Sequence, residues 1–430
     1  MNFSDSEIVA SIMKDEGCQL SNDPAEADAV FINTCSIRDH AEQRIIKRLR
    51  ELKSLKKKNN KLVVGILGCM AERLKESLIE QQQIVDIVAG PDSYRNLPAM
   101  LEEVESGQKG INTLLSEEET YTDIIPVRYA SNNVSAFISI MRGCQNFCSY
   151  CVVPYTRGKE RSRSMNSIVN EARELFENGF REITLLGQNV NSYLWETDKG
   201  NVNFAGLLEQ VAAVSPLLRL RFATSHPKDL SDELLKVMAS RENICRSVHL
   251  PVQAGSTRIL SKMNRKYTRE WYMNRIEAIR QYLPDCSIST DIISGFCSET
   301  DEDHRETLSL MEWAQFDFAY MFKYSERPDT LAAKKYPDDV PEEIKSARLK
   351  EIIDLQQKLS HTSNKKDVGM EFVVLAEGVS KRSQEQLYGR NSQNKVIVFP
   401  KNQHQPGDYV KIKVTHCTAA TLIGTESENK

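Results

Sequence analysis

Short apolar runs alternate with segments of helical period through the first 117 residues. Ala29-Val30-Phe31-Ile32 reads as a buried strand that ends at Asn33-Thr34-Cys35. Leu62-Val63-Val64-Gly65-Ile66-Leu67 reads as a second, ending at Gly68-Cys69-Met70, and Val85-Asp86-Ile87-Val88 as a third, ending at Gly90-Pro91. Between the first two, Asp39-His40-Ala41-Glu42 has the form of a capping box, and the helix behind it carries Ile45, Leu49 and Leu52 on one face. This alternation predicts an open parallel α/β domain. Residues 105–133 are polar, lack a period and read as a linker.

From 130 to 366 the pattern repeats six times as strand then helix. The strand-like runs are Ala136–Met141, Glu182–Leu186, Leu218–Ala223, Ser247–Leu250, Ser287–Ile293 and Phe318–Tyr324. Six such units predict a parallel sheet curled into a partial (β/α)6 TIM-type barrel. From 367 to 430 the pattern changes to short alternating strands with turns at Gly378, Asn391 and Gly407-Asp408, which predicts a small OB-like β-barrel. The fold class is therefore α/β, in three parts: 1–117, 130–366 and 367–430.

Composition narrows the function more than the fold. The net charge of −4 gives no whole-molecule field for nucleic acid, so such binding would use local patches. Two stretches qualify. The run from Arg48 to Lys61 reads as a solvated helix face. Tyr155–Arg163, with Arg157, Lys159, Arg161 and Arg163, reads either as a solvated loop or as an RNA contact. Ten cysteines in 430 residues argue for a reducing compartment rather than a disulfide framework. No apolar run reaches membrane-spanning length and no signal pattern opens the chain, so a cytoplasmic protein is expected.

The chemistry centres on Cys144, Cys148 and Cys151, spaced C-x3-C-x2-C. Three thiolates in eight residues can each take one corner of a [4Fe–4S] cube and leave the fourth iron open to a small chelating molecule. Structural zinc wants four ligands, and no His or further Cys follows within sixty residues. Here the chain resembles the radical S-adenosylmethionine (SAM) enzymes. The polar and glycine-bearing stretches of the central part all follow strands, the edge where barrel active sites gather. From the resemblance, Gly187 and Gln188 are expected at the SAM ammonium. Ser225 and Gln253 are expected at its ribose or carboxylate, and Gly295 where adenine meets backbone. His249 reads as an orienting core histidine, and Asp291 as either a cap or a site group.

Cys35 and Cys69 lie just past the ends of successive parallel strands, where open sheets bind ligands. Taken alone they are either a shared metal site or two buried structural thiols. Asn33–Arg38, Gly68-Cys69, the run from Cys148 to Gly158, Leu185–Asn191 and Glu377–Arg390 together resemble the methylthiotransferases over the whole length, with a TRAM-like RNA-binding tail. That family holds a second, auxiliary [4Fe–4S] cluster on three cysteines of its first domain. The resemblance assigns Cys35 and Cys69 to it, and the first of the three to a Gly-Cys-Gln-Met-Asn motif. Met1-Asn2 matches only the end of that motif, so about a dozen further residues are expected ahead of it, without which the auxiliary cluster would be held poorly. Cys18 reads as a half-buried helix-end thiol, not a substitute, and Cys297 as a bystander.

The implied reaction adds a methylthio group to C2 of N6-dimethylallyl-adenosine at position 37, in the tRNA anticodon stem-loop. Sister enzymes that act on threonylcarbamoyl-adenosine or on an aspartate of a ribosomal protein are the alternatives. The C2–H bond is neither acidic nor electrophilic enough for acid–base chemistry, which calls for a radical. The family further implies an electron donor and a sulfur donor. In the tail, Lys381, Arg382 and Arg390 are the expected contacts to RNA.

Overall fold

The computed structural model describes residues 1–34, 39–128, 132–198 and 200–427, without the side chains of 39–42. Cys35 and the proposed capping box at 39–42 therefore lie outside the described side chains. The chain divides into two compact units. One holds Met1–Tyr129, Met141–Phe147 and Cys151–Ser167; the other holds Ala130–Ile140, Cys148–Tyr150 and Ile168–Lys430.

The first unit is built on four parallel strands in sequence order: Ala29–Thr34, Val63–Gly68, Ile87–Ala89 and Gly110–Asn112. Every residue of Val63–Gly68 is buried, as expected of a strand covered on both faces. Its alternate residues feed different cores. Val63 and Leu67 pack with Ile8, Val9 and Met13 of helix Asn2–Asp15 and with Leu97 and Met100 of helix Leu97–Glu105. Val64 and Ile66 pack on the other face with Leu49 and Leu52 of helix Asp39–Lys58. The polar stretch read as a linker supplies the fourth strand. It also supplies Tyr121, buried and stacked on Tyr94 with ring centroids 5.7 Å apart. One strand of three residues and one buried ring carry too little periodicity to be seen in sequence. Cys18 is exposed, beyond the helix end, rather than half-buried.

The second unit contains the six expected parallel strands. Ser135–Ser139, Glu182–Leu186 and Arg219–Phe222 pair side by side, as do Ser247–His249, Ser287–Ser294 and Phe318–Lys323. A parallel bridge between Leu220 and Ile244 joins the two sets, with Leu220 N donating to Asn243 O at 2.8 Å and Cys245 N to Leu220 O at 2.9 Å. The result is a partial (β/α)6 barrel. Helix Glu342–Lys366 runs along the last strand, where Gln356 donates to Phe316 O and Ser360 to Asp317 O.

The tail is a closed five-stranded barrel around Val374, Leu387, Ile397, Phe399, Val410, Ile412 and Leu422. Its contact with the partial barrel is a buried charge network at the N-terminal end of the strands. Glu182, with no exposed side-chain surface, accepts from Arg221 Nε and from Arg390 Nη2, both at 2.8 Å. Arg390 also donates to Glu377 at 2.6 Å, while Arg219 and Arg221 donate to the carbonyls of Arg390 and Asn391. Burial pushes the Glu182 carboxyl up, but Arg221 and Arg390 outweigh it and hold it below the usual range. Arg390 is thereby removed from the expected RNA contacts: its charge is used between the two barrels.

Candidate functional site

The stretch 144–151 begins after a forced turn. Gly143 has φ of +80°, and a Cβ there would lie 1.8 Å from the Lys159 carbonyl oxygen, so only glycine fits. Cys144 N then donates to Gly158 O at 3.1 Å, and Asn146 Nδ2 donates to the Cys144 sulfur at 3.4 Å. Both lie in the first unit. Cys148 belongs to the second unit and is 9% exposed. Arg265 Nη1 donates to its sulfur at 3.3 Å. The other guanidinium contacts are Tyr267 Oη, from Nε at 2.7 Å, and Pro251 O, from Nη2 at 2.6 Å. Among the described residues no carboxylate pairs with this buried cation. A neutral thiol would leave its charge unbalanced, whereas an anionic sulfur group on Cys148 balances it. The residues present thus fit a metal-bound thiolate. Cys148 and Cys151 follow Cys144 by four and seven residues, a spacing in sequence that suits a three-thiolate iron–sulfur site.

The strand ends of the partial barrel carry polar atoms without protein partners. Gln188 Oε1, both amide atoms of Asn191 and Ser225 Oγ are buried and make no hydrogen bond among the described residues. Buried polar groups are nearly always satisfied, so their grouping in the loops after the second and third strands marks a place for a polar ligand. Their support is ordered. Asn189 donates to Asp229 at 2.6 Å and accepts from His226 N at 3.1 Å. Burial, reinforced by Arg265 and Lys228, drives the His226 pKa down to about 2, so its imidazole is neutral at any working pH. Gln253 is buried with φ of +77°, and its main chain bridges to Ile292. Gly187 is buried at the end of its strand. Gly295 has φ of +73°, and a Cβ there would lie 2.3 Å from the Lys345 side chain. That close approach accounts for glycine at 295 without a ligand. His249 bonds Ser289 at 3.0 Å and faces Asp291 at 3.5 Å, which places Asp291 on the strand face rather than at a helix end.

In the first unit, Thr34 ties the ends of two strands together. Its hydroxyl donates to Leu67 O at 2.6 Å and accepts from Met70 N, which fixes the start of helix Cys69–Leu74. Cys69 is 3% exposed, and Arg157 Nε donates to its sulfur at 3.3 Å. Arg157 Nη2 also meets Asp5 at 2.6 Å, and Arg142 Nη2 meets the other Asp5 oxygen at 2.5 Å. Burial pushes the Asp5 carboxyl up, but Arg142 and Arg157 outweigh it and hold it below its ordinary range. Arg161 pairs with Asp92 at 3.0 Å. Arg157 Nη1 is buried with no partner among the described residues, as is Glu72 Oε2 one helical turn after Cys69. The Glu72 carboxyl is pushed up to about 7 by burial, against the pull of Lys75.

The two readings of 155–163, a solvated loop or an RNA contact, are both corrected by this arrangement. Arg157, Arg161 and Arg163 are buried, and Arg157 and Arg161 are spent on ion pairs inside the first unit. Lys159 alone is exposed, paired with Glu117. Sequence reasoning also missed Asp5, Asn189, His226, Arg265 and Tyr267. Asn189 lay in a stretch already singled out and His226 beside the expected Ser225; Asp5 and Arg265 carried no signal, since charged residues are seldom buried.

Three families match along the chain: an uncharacterized protein family, UPF0004, at residues 1–90, the Radical SAM superfamily at 138–311 and a TRAM domain at 365–425. A protein of Phocaeicola vulgatus named tRNA-2-methylthio-N(6)-dimethylallyladenosine synthase is 57% identical over 427 residues, 99% of this chain and 93% of that protein. The chain belongs to the tRNA-2-methylthio-N(6)-dimethylallyladenosine synthase family. A second synthase of that name, from Amoebophilus asiaticus, is 56% identical over 99% of this chain and 90% of its own length. A third, from Chloroherpeton thalassium, is 54% identical over 99% and 93%. Among solved structures, the radical SAM methyltransferase TsrM of Kitasatospora setae matches with TM-score 0.57 and 17% identity, over 77% of this chain and 72% of its own. At that identity it supports the barrel fold alone. No helix of the described residues is long and apolar enough to cross a membrane.

Proposed function

We propose that this synthase-family chain adds a methylthio group to C2 of N6-dimethylallyl-adenosine in tRNA, with an iron–sulfur cluster and SAM. The observation that carries the reading is the Cys148–Arg265 pair within a C-x3-C-x2-C stretch of a partial barrel. When bound, the cluster and SAM supply a one-electron cleavage that yields a carbon radical able to take hydrogen from an unactivated carbon. The protein supplies position and protection. Cys144, Cys148 and Cys151 hold the iron, and Arg265 and Asn146 orient two of their sulfurs. Gln188, Asn191 and Ser225 offer unsatisfied polar atoms for the amino acid and ribose groups of SAM. His226 stays neutral, so no added positive charge opposes the sulfonium there. Gly187 and Gln253 complete the proposed SAM contacts from the main chain, and Gly295 is retained for the adenine only as backbone.

A second [4Fe–4S] cluster is proposed at Cys69, with Cys35 as a further ligand. Arg157 Nη1 beside Cys69, without a partner among the described residues, supports an anionic group there. The target is the adenosine next to the anticodon, an unstacked loop base that a barrel mouth can receive. An electron donor and a sulfur donor complete the partners, in the cytoplasm where tRNA is modified. The division into 1–117, 130–366 and 367–430 is kept as the functional one: second cluster, SAM chemistry and RNA holding. Lys381 and Arg382, both exposed, are its proposed phosphate contacts.

The test is anaerobic reconstitution with iron and sulfide, followed by iron counting and assay of SAM cleavage. About four irons per chain are expected on the 144–151 stretch, and up to about eight only as far as Cys69 and Cys35 hold a second cube. The Cys144→Ala/Cys148→Ala/Cys151→Ala variant is expected to lose about four of them and all SAM cleavage. Cleavage that survives this variant would overturn the reading.

A further inference from the structure

Arg265 does more than fill space. Each nitrogen of its guanidinium has an assigned acceptor: the Tyr267 hydroxyl, the Pro251 carbonyl and the Cys148 sulfur. The first two are neutral. Burial disfavours its charge, but Tyr267, Tyr150 and Cys148 outweigh it, and none of the three is a carboxylate. The contact to sulfur is also fixed from both sides. Arg265 follows helix Thr257–Lys262 and is pinned by its own N donating to Leu260 O at 2.9 Å. Ser149, the neighbour of Cys148, donates its main-chain N to Met263 O at 2.9 Å and its hydroxyl to Lys262 O at 2.8 Å. The loop that carries the cation is thus stitched to the residue beside the sulfur it faces.

A cation held against one cluster ligand in a low-dielectric site favours whichever state of the cluster is more negative. Reduction adds one negative charge. We propose that Arg265 sets the reduction potential of the cluster on Cys144, Cys148 and Cys151, holding it higher through its N–H···S contact with Cys148. Arg265 is in this sense a positioning residue that acts through Cys148. The same contact explains why an arginine without a carboxylate is tolerated in the interior: its counter-ion is the cluster. The proposal rests on the assignment of Cys148 as an iron ligand.

The experiment uses the full chain in a Cys69→Ala background, so that iron is held by the 144–151 stretch alone. Parent, R265K and R265M proteins are reconstituted anaerobically and titrated with dithionite and redox mediators, without SAM. The reduced cluster is read by electron paramagnetic resonance. At the parent midpoint, R265M is expected to show at least a tenfold smaller ratio of reduced to oxidised cluster, which is about 59 mV for one electron. R265K keeps the charge and is expected to fall less. Equal midpoints at equal iron content overturn the proposal. Melting of the iron-free proteins supplies a second readout. Without its anion the Arg265 charge is unfavourable, so iron-free R265M is expected to melt no lower than the parent, and loading is expected to raise the parent more. R265M that is unfolded, or destabilised as much without iron as with it, assigns Arg265 a purely structural role and overturns the proposal. A parent that takes up no iron overturns the ligand assignment itself.

Discussion

Two buried arginines each donate to a cysteine sulfur at 3.3 Å, yet their surroundings differ. Arg157, beside Cys69, shares Asp5 with Arg142, and Arg161 lies nearby with Asp92. Three guanidiniums there meet two carboxylates, so most of the charge is balanced by protein alone. Arg265, beside Cys148, meets no carboxylate among the described residues. The first environment is an ion network, balanced mostly within the protein, that reaches a sulfur and leaves one donor, Arg157 Nη1, without a partner among the described residues. The second is a cation whose balance depends on what the sulfur carries. The same distance therefore means different things. The Cys69 side should fold without iron, whereas the Cys148 side is completed by it.

The sharpest way to break the comparison is to remove each sulfur. Cys148→Ala is expected to reduce SAM cleavage to background, because it deletes one of the three proposed ligands of the reacting cluster. Cys69→Ala is expected to keep SAM cleavage and lose methylthiolation. Both are read in one anaerobic assay that follows 5′-deoxyadenosine and modified nucleoside together. If Cys69→Ala abolished cleavage as well, the two sites would not divide the chemistry as proposed.

The next largest effect concerns the ion network. Asp5 has no exposed surface and holds two guanidiniums. Asp5→Asn leaves two buried cations short of their shared anion and should cost about 3–5 kcal/mol in urea unfolding of the iron-free chain. The Asp5 carboxyl is held below its ordinary pKa, so its contribution is present above the unfolded value and is lost as pH falls through the folded one. The wild-type chain should accordingly lose stability at acid pH in a way that Asp5→Asn does not.

How much of this could be read from sequence depends on which signal each residue carries. The six barrel strands, three of the four strands of the first sheet and the tail barrel were legible because apolar runs or alternation mark each of them. The three cysteines of 144–151 stand out in sequence because of their spacing. The ion network was not. Arg157, Arg161, Arg163 and Arg390 looked like an RNA surface, since a charged residue is usually exposed. Arg157, Arg161 and Arg390 are instead drawn to Asp5, Asp92 and Glu182, which lie 152, 69 and 208 positions away along the chain. Arg265 was hidden for the same reason, 117 residues from Cys148. Sequence pattern reports a residue's own element; it does not report the partner that makes burial of a charge tolerable.

A smaller effect tests the neighbourhood of Cys69. The Glu72 carboxyl is pushed up to about 7 by burial, above the value near 4.5 of an exposed glutamate. A raised carboxyl is protonated in the folded chain while already ionised in the unfolded one between those two values. Stability therefore falls as pH rises from 4.5 to 7 and stays lower above it. Glu72→Gln should be neutral at pH 4 and stabilising at pH 8 by an amount on the order of 2 kcal/mol, measured as the shift in urea midpoint at each pH. A gain of equal size at both pH values would mean that packing, not ionisation, is at work.

The smallest effect separates exposed from buried basic residues in the tail. Lys381 and Arg382 stand in solvent, while Arg390 is spent between Glu182 and Glu377. A phosphate contact releases counter-ions, so its loss should weaken tRNA binding and lower the slope of log affinity against log salt by roughly one per residue removed. Lys381→Ala and Arg382→Ala are expected to do this at unchanged melting temperature. Arg390→Met is expected to leave the salt slope as it was and to lower the melting temperature, because Glu182 would stay buried beside a lost partner. Filter binding of unmodified tRNA at several salt concentrations, with melting curves of the same proteins, reads both quantities. If Arg390→Met changed the slope and left the melting temperature alone, the charge between the two barrels would be facing RNA after all.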